Sequence, residues 1–170
     1  MKKLSQKIEV TANVLTITVS LILIGVVARQ YFFAKPSANQ PARIHPTVGK
    51  RIDFPDEDFA AQPKTLIFAL QTTCHFCNES APFYKRLAEK VKGKNVKLVA
   101  VFPTNIEEST AHMNELGLTG FEIRQAPIST LDASGTPTLI LTNDKGEITN
   151  YWVGKLTSQN EADVIDKIGS

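Results

Sequence analysis

The sequence predicts an α/β domain built on a mixed sheet with flanking helices, preceded by one long apolar segment. Short β-rich runs alternate with segments whose apolar residues recur at helical spacing. The last two β-rich runs are separated by Asn143-Asp144-Lys145-Gly146, a turn sequence typical of a hairpin. Alternating strands and helices, then a hairpin and a final helix, predict parallel and antiparallel strands in one sheet with helices on both faces.

The N-terminal segment from Val10 to Ala28 contains no charged residue. It is long enough for one membrane-spanning helix. A cleavable signal peptide usually has a shorter apolar core and a small-residue cleavage site, whereas here Arg29-Gln30-Tyr31-Phe32-Phe33 follows. We therefore expect an uncleaved N-terminal transmembrane anchor over residues 1–33, with a cleaved signal peptide as the alternative.

A short segment over residues 34–46 separates this anchor from the rest of the chain. It contains Pro36, Pro41 and Pro46 and has little apolar periodicity, which is typical of an extended tether. The remaining residues, 47–170, suit one globular domain. The formal net charge is only +2 and the basic residues are scattered, so no nucleic-acid partner is expected.

Five strands and three helices are predicted within the domain. The strands are Thr65–Leu70, Val96–Phe102, Phe121–Arg124, Thr138–Thr142 and Glu147–Val153. The helices are Asn78–Val91, Glu107–Leu116 and Ser158–Ile168. Phe83, Leu87 and Val91 recur at helical spacing in the first helix. Asn105 is expected to cap the second helix, and Gly117 to end it.

Both cysteines of the chain lie in Cys74-His75-Phe76-Cys77, directly after a predicted strand and directly before a predicted helix. A tetrahedral zinc site normally takes four ligands, and no second C-x-x-C or H-x-x-x-H completes one, so redox chemistry is favoured. The thiol of Cys74, at the helix start, is favoured as a thiolate. We expect Cys74 to attack a disulfide and Cys77 to resolve the mixed disulfide, with no metal or other cofactor. Inert buried cysteines or a structural disulfide are the alternative.

A second motif, Gly135-Thr136-Pro137-Thr138, leads into an apolar strand. The order of strand, C-x-x-C, helix, and then Thr-Pro before a strand and hairpin resembles the thioredoxin superfamily, over roughly Thr47 to Ile168. The resemblance implies a cis Thr136–Pro137 bond that faces Cys74 and Cys77, and a kinked active-site helix at Pro82. It is closest to the membrane-tethered, extracytoplasmic TlpA-like and redoxin-type thiol–disulfide oxidoreductases, and implies protein thiols and disulfides as partners.

Three positions depart from that family. Thr73 replaces the tryptophan usual before the first cysteine, no proline lies between the cysteines, and Phe68 stands where thioredoxins proper place a buried acid. The sequence leaves open whether the protein oxidises, reduces or isomerises, and which protein is its redox partner.

Further residues around the dithiol are candidates for binding and tuning. The resemblance implies that Thr136 and Pro137 contact the substrate, and Phe76 is a candidate apolar contact for a polypeptide. A positive charge on His75 would favour the thiolate of Cys74, although His75 could equally point to solvent.

Two other functions remain open at this stage. Membrane-anchored copper chaperones of thioredoxin-like fold bind Cu(I) with two cysteines and a distant histidine, a place that His112 could take. Their cysteines are usually spaced C-x-x-x-C, unlike Cys74 and Cys77. A non-catalytic thioredoxin-like interaction domain would be favoured if the cysteines were unreactive.

The orientation in the membrane follows from several weak signals. Positive charges on the two sides of the apolar segment are nearly balanced. Lysines close to the N-terminus, an interfacial aromatic group at Tyr31-Phe32-Phe33 and the usefulness of a dithiol outside a reducing cytosol favour an inside N-terminus. We expect a single-pass membrane protein with its domain on the extracytoplasmic side, periplasmic or extracellular.

Overall fold

The computed structural model describes residues 15–25, 47–52, 54 and 57–169. The chain divides into two units, Met1–Arg43 and Ile44–Ser170, and each is described by itself. The tether predicted over residues 34–46 and both ends of the predicted anchor lie outside the described residues.

In the first unit, residues 15–25 form helix α1. Its large apolar side chains are exposed, from 48% at Val19 to 65% at Ile22. Within the ranges described above, the structure contains no helix with the length and apolar content needed to cross a membrane. The predicted transmembrane anchor remains a prediction.

The second unit is a five-stranded mixed sheet with the strand order β3-β2-β1-β4-β5. The strands are β1 (Lys64–Ala69), β2 (Val96–Phe102), β3 (Glu122–Gln125), β4 (Thr138–Asn143) and β5 (Ile148–Val153). The helices are α2 (His75–Glu79), α3 (Ala81–Val91), α4 (Ile106–Glu115) and α5 (Ser158–Gly169). β1, β2 and β3 are parallel, and β4 is antiparallel to both β1 and β5. The five predicted strands are confirmed, each to within one residue at either end.

The first predicted helix was wrong at its start, because the chain forms two helices there. α2 begins at His75, and α3 begins after Ser80. Pro82 lies at the start of α3 and has no N–H to donate, and its ring would clash with the carbonyl of Asn78 if one helix continued through it. The interruption at Pro82 agrees with the kink that the family resemblance implied.

The two faces of the sheet are covered by different kinds of structure. Leu66 and Phe68 of β1 pack with side chains of α3, α4 and α5. Ile67 and Ala69 face the opposite side, where the covering side chains come from the segment at Ile52 and from two 3₁₀ turns, Phe59–Ala61 and Ile128–Leu131. The expectation of α-helices on both faces was therefore wrong for the described residues.

The one-sided arrangement follows from the strand order. The chain moves from β1 to β2 and then to β3 in one direction along the sheet. Parallel crossovers are right-handed, so two successive crossovers in the same direction place both connections on the same face. α3 and α4 therefore lie together on one face.

Asn105 is confirmed as the cap of α4, since its side-chain oxygen accepts the Glu108 N–H at 2.8 Å. Replacing it by alanine, Asn105→Ala, should lower the free energy of unfolding by about 1 kcal/mol, because the N–H loses its partner. Chemical denaturation measures this change. Asn105→Asp should retain most of the stability, and Asn114→Ala, exposed on the same helix, should change it little. Equal losses in Asn105→Ala and Asn114→Ala would contradict the capping role.

Candidate active site

The two cysteines lie where the chain leaves the central strand β1 and enters α2. Cys74 is the N-cap of α2 and has an extended backbone, with φ −80° and ψ 109°. The turn before it is closed by a hydrogen bond from the Cys74 N–H to the Gln71 carbonyl, at 3.1 Å. Cys74 and Cys77 form a disulfide. The predicted placement of the pair at a strand-to-helix turn is confirmed.

The environments of the two sulfurs differ. Cys74 is half-buried, and its sulfur accepts the Cys77 backbone N–H at 3.1 Å. A hydrogen bond of this kind favours the thiolate once the disulfide is reduced. Cys77 is only 3% exposed and belongs to the core of the helical face. The sulfur that solvent and other proteins can reach is that of Cys74.

The Thr136–Pro137 loop lies at the same end of the sheet. Its peptide bond is cis, as the resemblance implied. Thr138 pairs with Ala69 at the end of β1, so the loop lies next to the segment that leads to Cys74. The Thr136 hydroxyl donates to Gln71 Oε1 at 3.3 Å, and Gly154 N–H donates to the Pro137 carbonyl at 2.7 Å.

His75, the candidate for tuning the thiolate, is highly exposed, with 79% of its side chain accessible. Its Nε2 lies 3.3 Å from Glu79 Oε1, while Glu79 Oε2 accepts from Lys155 Nζ at 3.0 Å. The Lys155 hydrogen bond lowers the pKa of Glu79, with a further contribution from the charges of Lys155 and His75. A charge on His75 would therefore be shared with an anionic partner on the surface.

Phe76 is 55% exposed in the first turn of α2, between the two cysteines. Its ring centroid lies 5.7 Å from that of His75. The two rings form an apolar and aromatic edge beside the disulfide, which suits contact with a polypeptide. The predicted substrate role of Phe76 remains a prediction.

Helix α4 borders the site on another side. His112 Nε2 lies 3.1 Å from Asn78 Oδ1, and its ring meets Phe102 edge-on with the centroids 6.3 Å apart. The Thr72 hydroxyl donates to Glu108 at 3.2 Å. Over the part of the chain that the structure describes, no group of three or more His, Cys, Asp or Glu side chains is arranged to hold a metal ion.

Tyr84, which lines the same gap in the core as Cys77, is a residue that the sequence analysis missed. It lies on α3 with only 1% exposure, and its ring packs edge-on against Phe68 with the centroids 5.1 Å apart. Its hydroxyl makes no hydrogen bond of good geometry, although the Ser80 side chain is near enough to interact with it. Burial raises the pKa of Tyr84. The available signal was its spacing of seven residues from Cys77, which places both on one side of a helical segment.

Several solved structures are similar to this chain. A protein from Chlorobium tepidum, proposed to be the thiol:disulfide interchange protein DsbE, is 18% identical, with a TM-score of 0.55 over 64% of this chain and 79% of that one. StoA from Bacillus subtilis is 23% identical, with a TM-score of 0.51 over 62% and 81%. A thiol-disulfide isomerase from Corynebacterium glutamicum is 12% identical, with a TM-score of 0.55 over 74% and 94%.

Neither a family model nor a curated protein matches the sequence. The structural likenesses establish the thioredoxin-like fold that the motifs predicted. At such low sequence identities, the likeness shows the fold and not the activity. The chemistry therefore has to be argued from the residues of this chain.

The unequal exposure of the two cysteines predicts unequal reactivity after reduction. At neutral pH, iodoacetamide should alkylate Cys74 about tenfold faster than Cys77, because Cys74 is accessible and accepts the Cys77 N–H. Its apparent pKa, read from the pH dependence of the rate, should lie below the ordinary value of about 8.5. Timed mass spectrometry of peptides that separate the two cysteines measures both rates. The protein unfolded in urea is the control, in which the two cysteines should react at equal rates. Equal rates in the folded protein as well would contradict this assignment.

Proposed function

We propose that this thioredoxin-like chain is a thiol–disulfide oxidoreductase that acts on cysteines of other proteins. The observation that carries the proposal is the asymmetry of its disulfide. The sulfur of Cys74 is accessible and accepts an N–H, whereas the sulfur of Cys77 is buried behind it. One sulfur can meet a client, and the second can reach only the first.

The exchange reaction uses this asymmetry in two steps. In the reduced protein, the Cys74 thiolate attacks one sulfur of a client disulfide, so that a Cys74–client bond forms, the client bond breaks and a client thiolate leaves. The Cys77 thiolate then attacks Cys74, closes the disulfide of the protein and releases the second client thiolate. Two electrons pass to the client, and the protons lost by the cysteines go to the client thiolates. The reverse sequence oxidises a client dithiol.

Client binding is assigned to the surface around Cys74. Thr136 and Pro137 lie in the loop next to the segment that leads to Cys74 and precede an internal strand, a position where an extended client segment can pair with the backbone. The exposed ring of Phe76 supplies an apolar contact on the other side. His75 has a smaller part in thiolate tuning, because Glu79 lies 3.3 Å from it and offsets its charge.

We also propose that the chain is held in a membrane by residues 1–33, with the dithiol domain on the extracytoplasmic side. The uncharged run Val10–Ala28 supports an anchor. The exposed apolar side chains of α1 lie within that run and suit a lipid environment better than water. A dithiol is also more useful where the cytosolic reductants are absent.

The order of the two steps predicts opposite behaviour for the two single mutants. Cys77→Ala should accumulate mixed disulfides with client proteins, because Cys74 can attack but nothing resolves the bond. Cys74→Ala should trap at most about a tenth as much, because the remaining sulfur is buried. Non-reducing gels followed by mass spectrometry of the reducible adducts measure the difference. The double mutant is the background control.

Two results would overturn the proposed exchange reaction. The first is equal trapping by both single mutants. The second is an absence of adducts combined with tight Cu(I) binding that is lost in either cysteine mutant and in His112→Ala, which would favour the copper chaperone.

The membrane proposal predicts that the full chain stays in the membrane pellet after alkaline extraction and is released by detergent. A chain that starts at Ala34 should be recovered in the soluble fraction. A membrane-impermeant maleimide should label Cys74 in intact, reduced cells if the domain is outside. Labelling only after lysis would place the domain inside, and a mature N-terminus beyond Arg29 would show that the segment is a signal peptide.

A further inference from the structure

Tyr84 carries a buried hydroxyl that the exchange reaction described above does not use. Tyr84 and Cys77 line the same narrow gap between the sheet and the helices, together with apolar side chains such as Phe102 and Met113. The gap is too narrow to hold a water molecule. In the disulfide form, the Tyr84 hydroxyl makes no hydrogen bond of good geometry, and Ser80 is near enough to interact with it.

Ser80 and the polar side chains that line this gap, Gln71 and His112, already have partners of their own. Ser80 Oγ donates to the Phe76 carbonyl at 2.7 Å, although Ser80 is close enough to act on the pKa of Tyr84. Gln71 Oε1 accepts from Thr136 at 3.3 Å, and His112 Nε2 lies 3.1 Å from Asn78. The group in this gap that changes during the reaction is the sulfur of Cys77.

Reduction gives the hydroxyl an acceptor. When the disulfide breaks, the two sulfurs separate and Cys77 gains a thiol or thiolate. That sulfur is 3% exposed, and burial in apolar surroundings opposes its ionisation unless a donor stabilises it. Cys74 already has a donor, the Cys77 N–H. No backbone donor of that kind is seen for Cys77 in the described structure.

We propose that the Tyr84 hydroxyl donates a hydrogen bond to the Cys77 sulfur in the reduced protein and so stabilises the reduced form over the disulfide form. The inference rests on the proposed exchange reaction and assigns a part in it to Tyr84. The hydroxyl keeps its proton at working pH, because burial raises the pKa of Tyr84. It therefore acts as a donor and does not compete for the proton of Cys77.

Removing the hydroxyl should stabilise the disulfide form and destabilise the reduced form, and both effects favour the disulfide. Tyr84→Phe relieves the unpaired hydroxyl in the disulfide form and deletes the donor in the reduced form. A protein whose reduced form is less stable is a weaker oxidant. We expect the equilibrium constant with glutathione to shift about tenfold toward the disulfide, a change of about 30 mV to a more negative potential.

A matched control is available at the other end of β1. The Thr65 hydroxyl is also fully buried and unpaired, but it lies at the end of the strand opposite to the cysteines. Thr65→Val removes an equivalent buried hydroxyl without changing a residue of the candidate site. Both variants should be as stable as the wild type or more so, and only Tyr84→Phe should change the potential. An unchanged potential in Tyr84→Phe, or an equal change in both variants, would overturn the proposal.

A second measurement uses the unmutated side chain and does not depend on how Tyr84→Phe folds. In protein labelled with ¹³C at tyrosine Cζ, reduction of the disulfide should shift the Tyr84 resonance and leave that of Tyr151 in place. The shift should persist in Ser80→Ala, which removes the rival acceptor. A Tyr84 resonance that does not respond to reduction, or whose response vanishes in Ser80→Ala, would contradict donation to Cys77.

Different results would refute the proposed exchange reaction and the part assigned to Tyr84. If wild-type protein does not exchange its disulfide with glutathione and Cys77→Ala traps no client, the proposed function is wrong. If the wild type exchanges and traps normally but Tyr84→Phe keeps the wild-type potential, the function stands and the part assigned to Tyr84 is wrong.

Discussion

Both motifs of the candidate site depend on the hydrogen-bonded pairing of β1 with its two neighbours. β1 pairs with β2 from Lys64 to Ala69 and with β4 over the same residues. Residues 65–69 are completely buried, so the strand is held on both edges and on both faces. The C-x-x-C turn leaves from the end of β1, and the Thr136–Pro137 loop enters the strand beside it. The distance between the two motifs is therefore set by the sheet and not by the turns themselves.

The polar groups around the disulfide are divided between surface and interior. On the surface, Glu79 links His75 and Lys155, and solvent screens such pairs so that they contribute little to stability. Inside, the Tyr84 hydroxyl lies among apolar atoms, where a single hydrogen bond gained or lost matters more. Under the proposed function, a buried hydrogen bond should bias the redox equilibrium more than these surface pairs do.

The strands and both motifs could be predicted because each depends on neighbouring residues. Apolar runs give the buried strands, and the asparagine at 105 caps its helix through local backbone contacts. The face on which each helix lies depends instead on crossover direction, which no single segment records. The contact of Glu79 with Lys155 joins residues far apart in the sequence, so it was not predictable. Tyr84 was overlooked because an aromatic residue on an apolar helix face is usually only packing.

The position of β1 between β2 and β4 also bears on how the chain is made. β2 follows β1 closely, but β4 comes from the last third of the chain. Contacts between distant segments form late, because closing the long loop between them costs entropy before the contacts can stabilise the chain. During synthesis from the N-terminus, both cysteines emerge well before the strand that completes their surroundings. A nascent chain thus presents a dithiol without its loop partner, and its oxidation state at that stage is governed by the compartment and not by the fold.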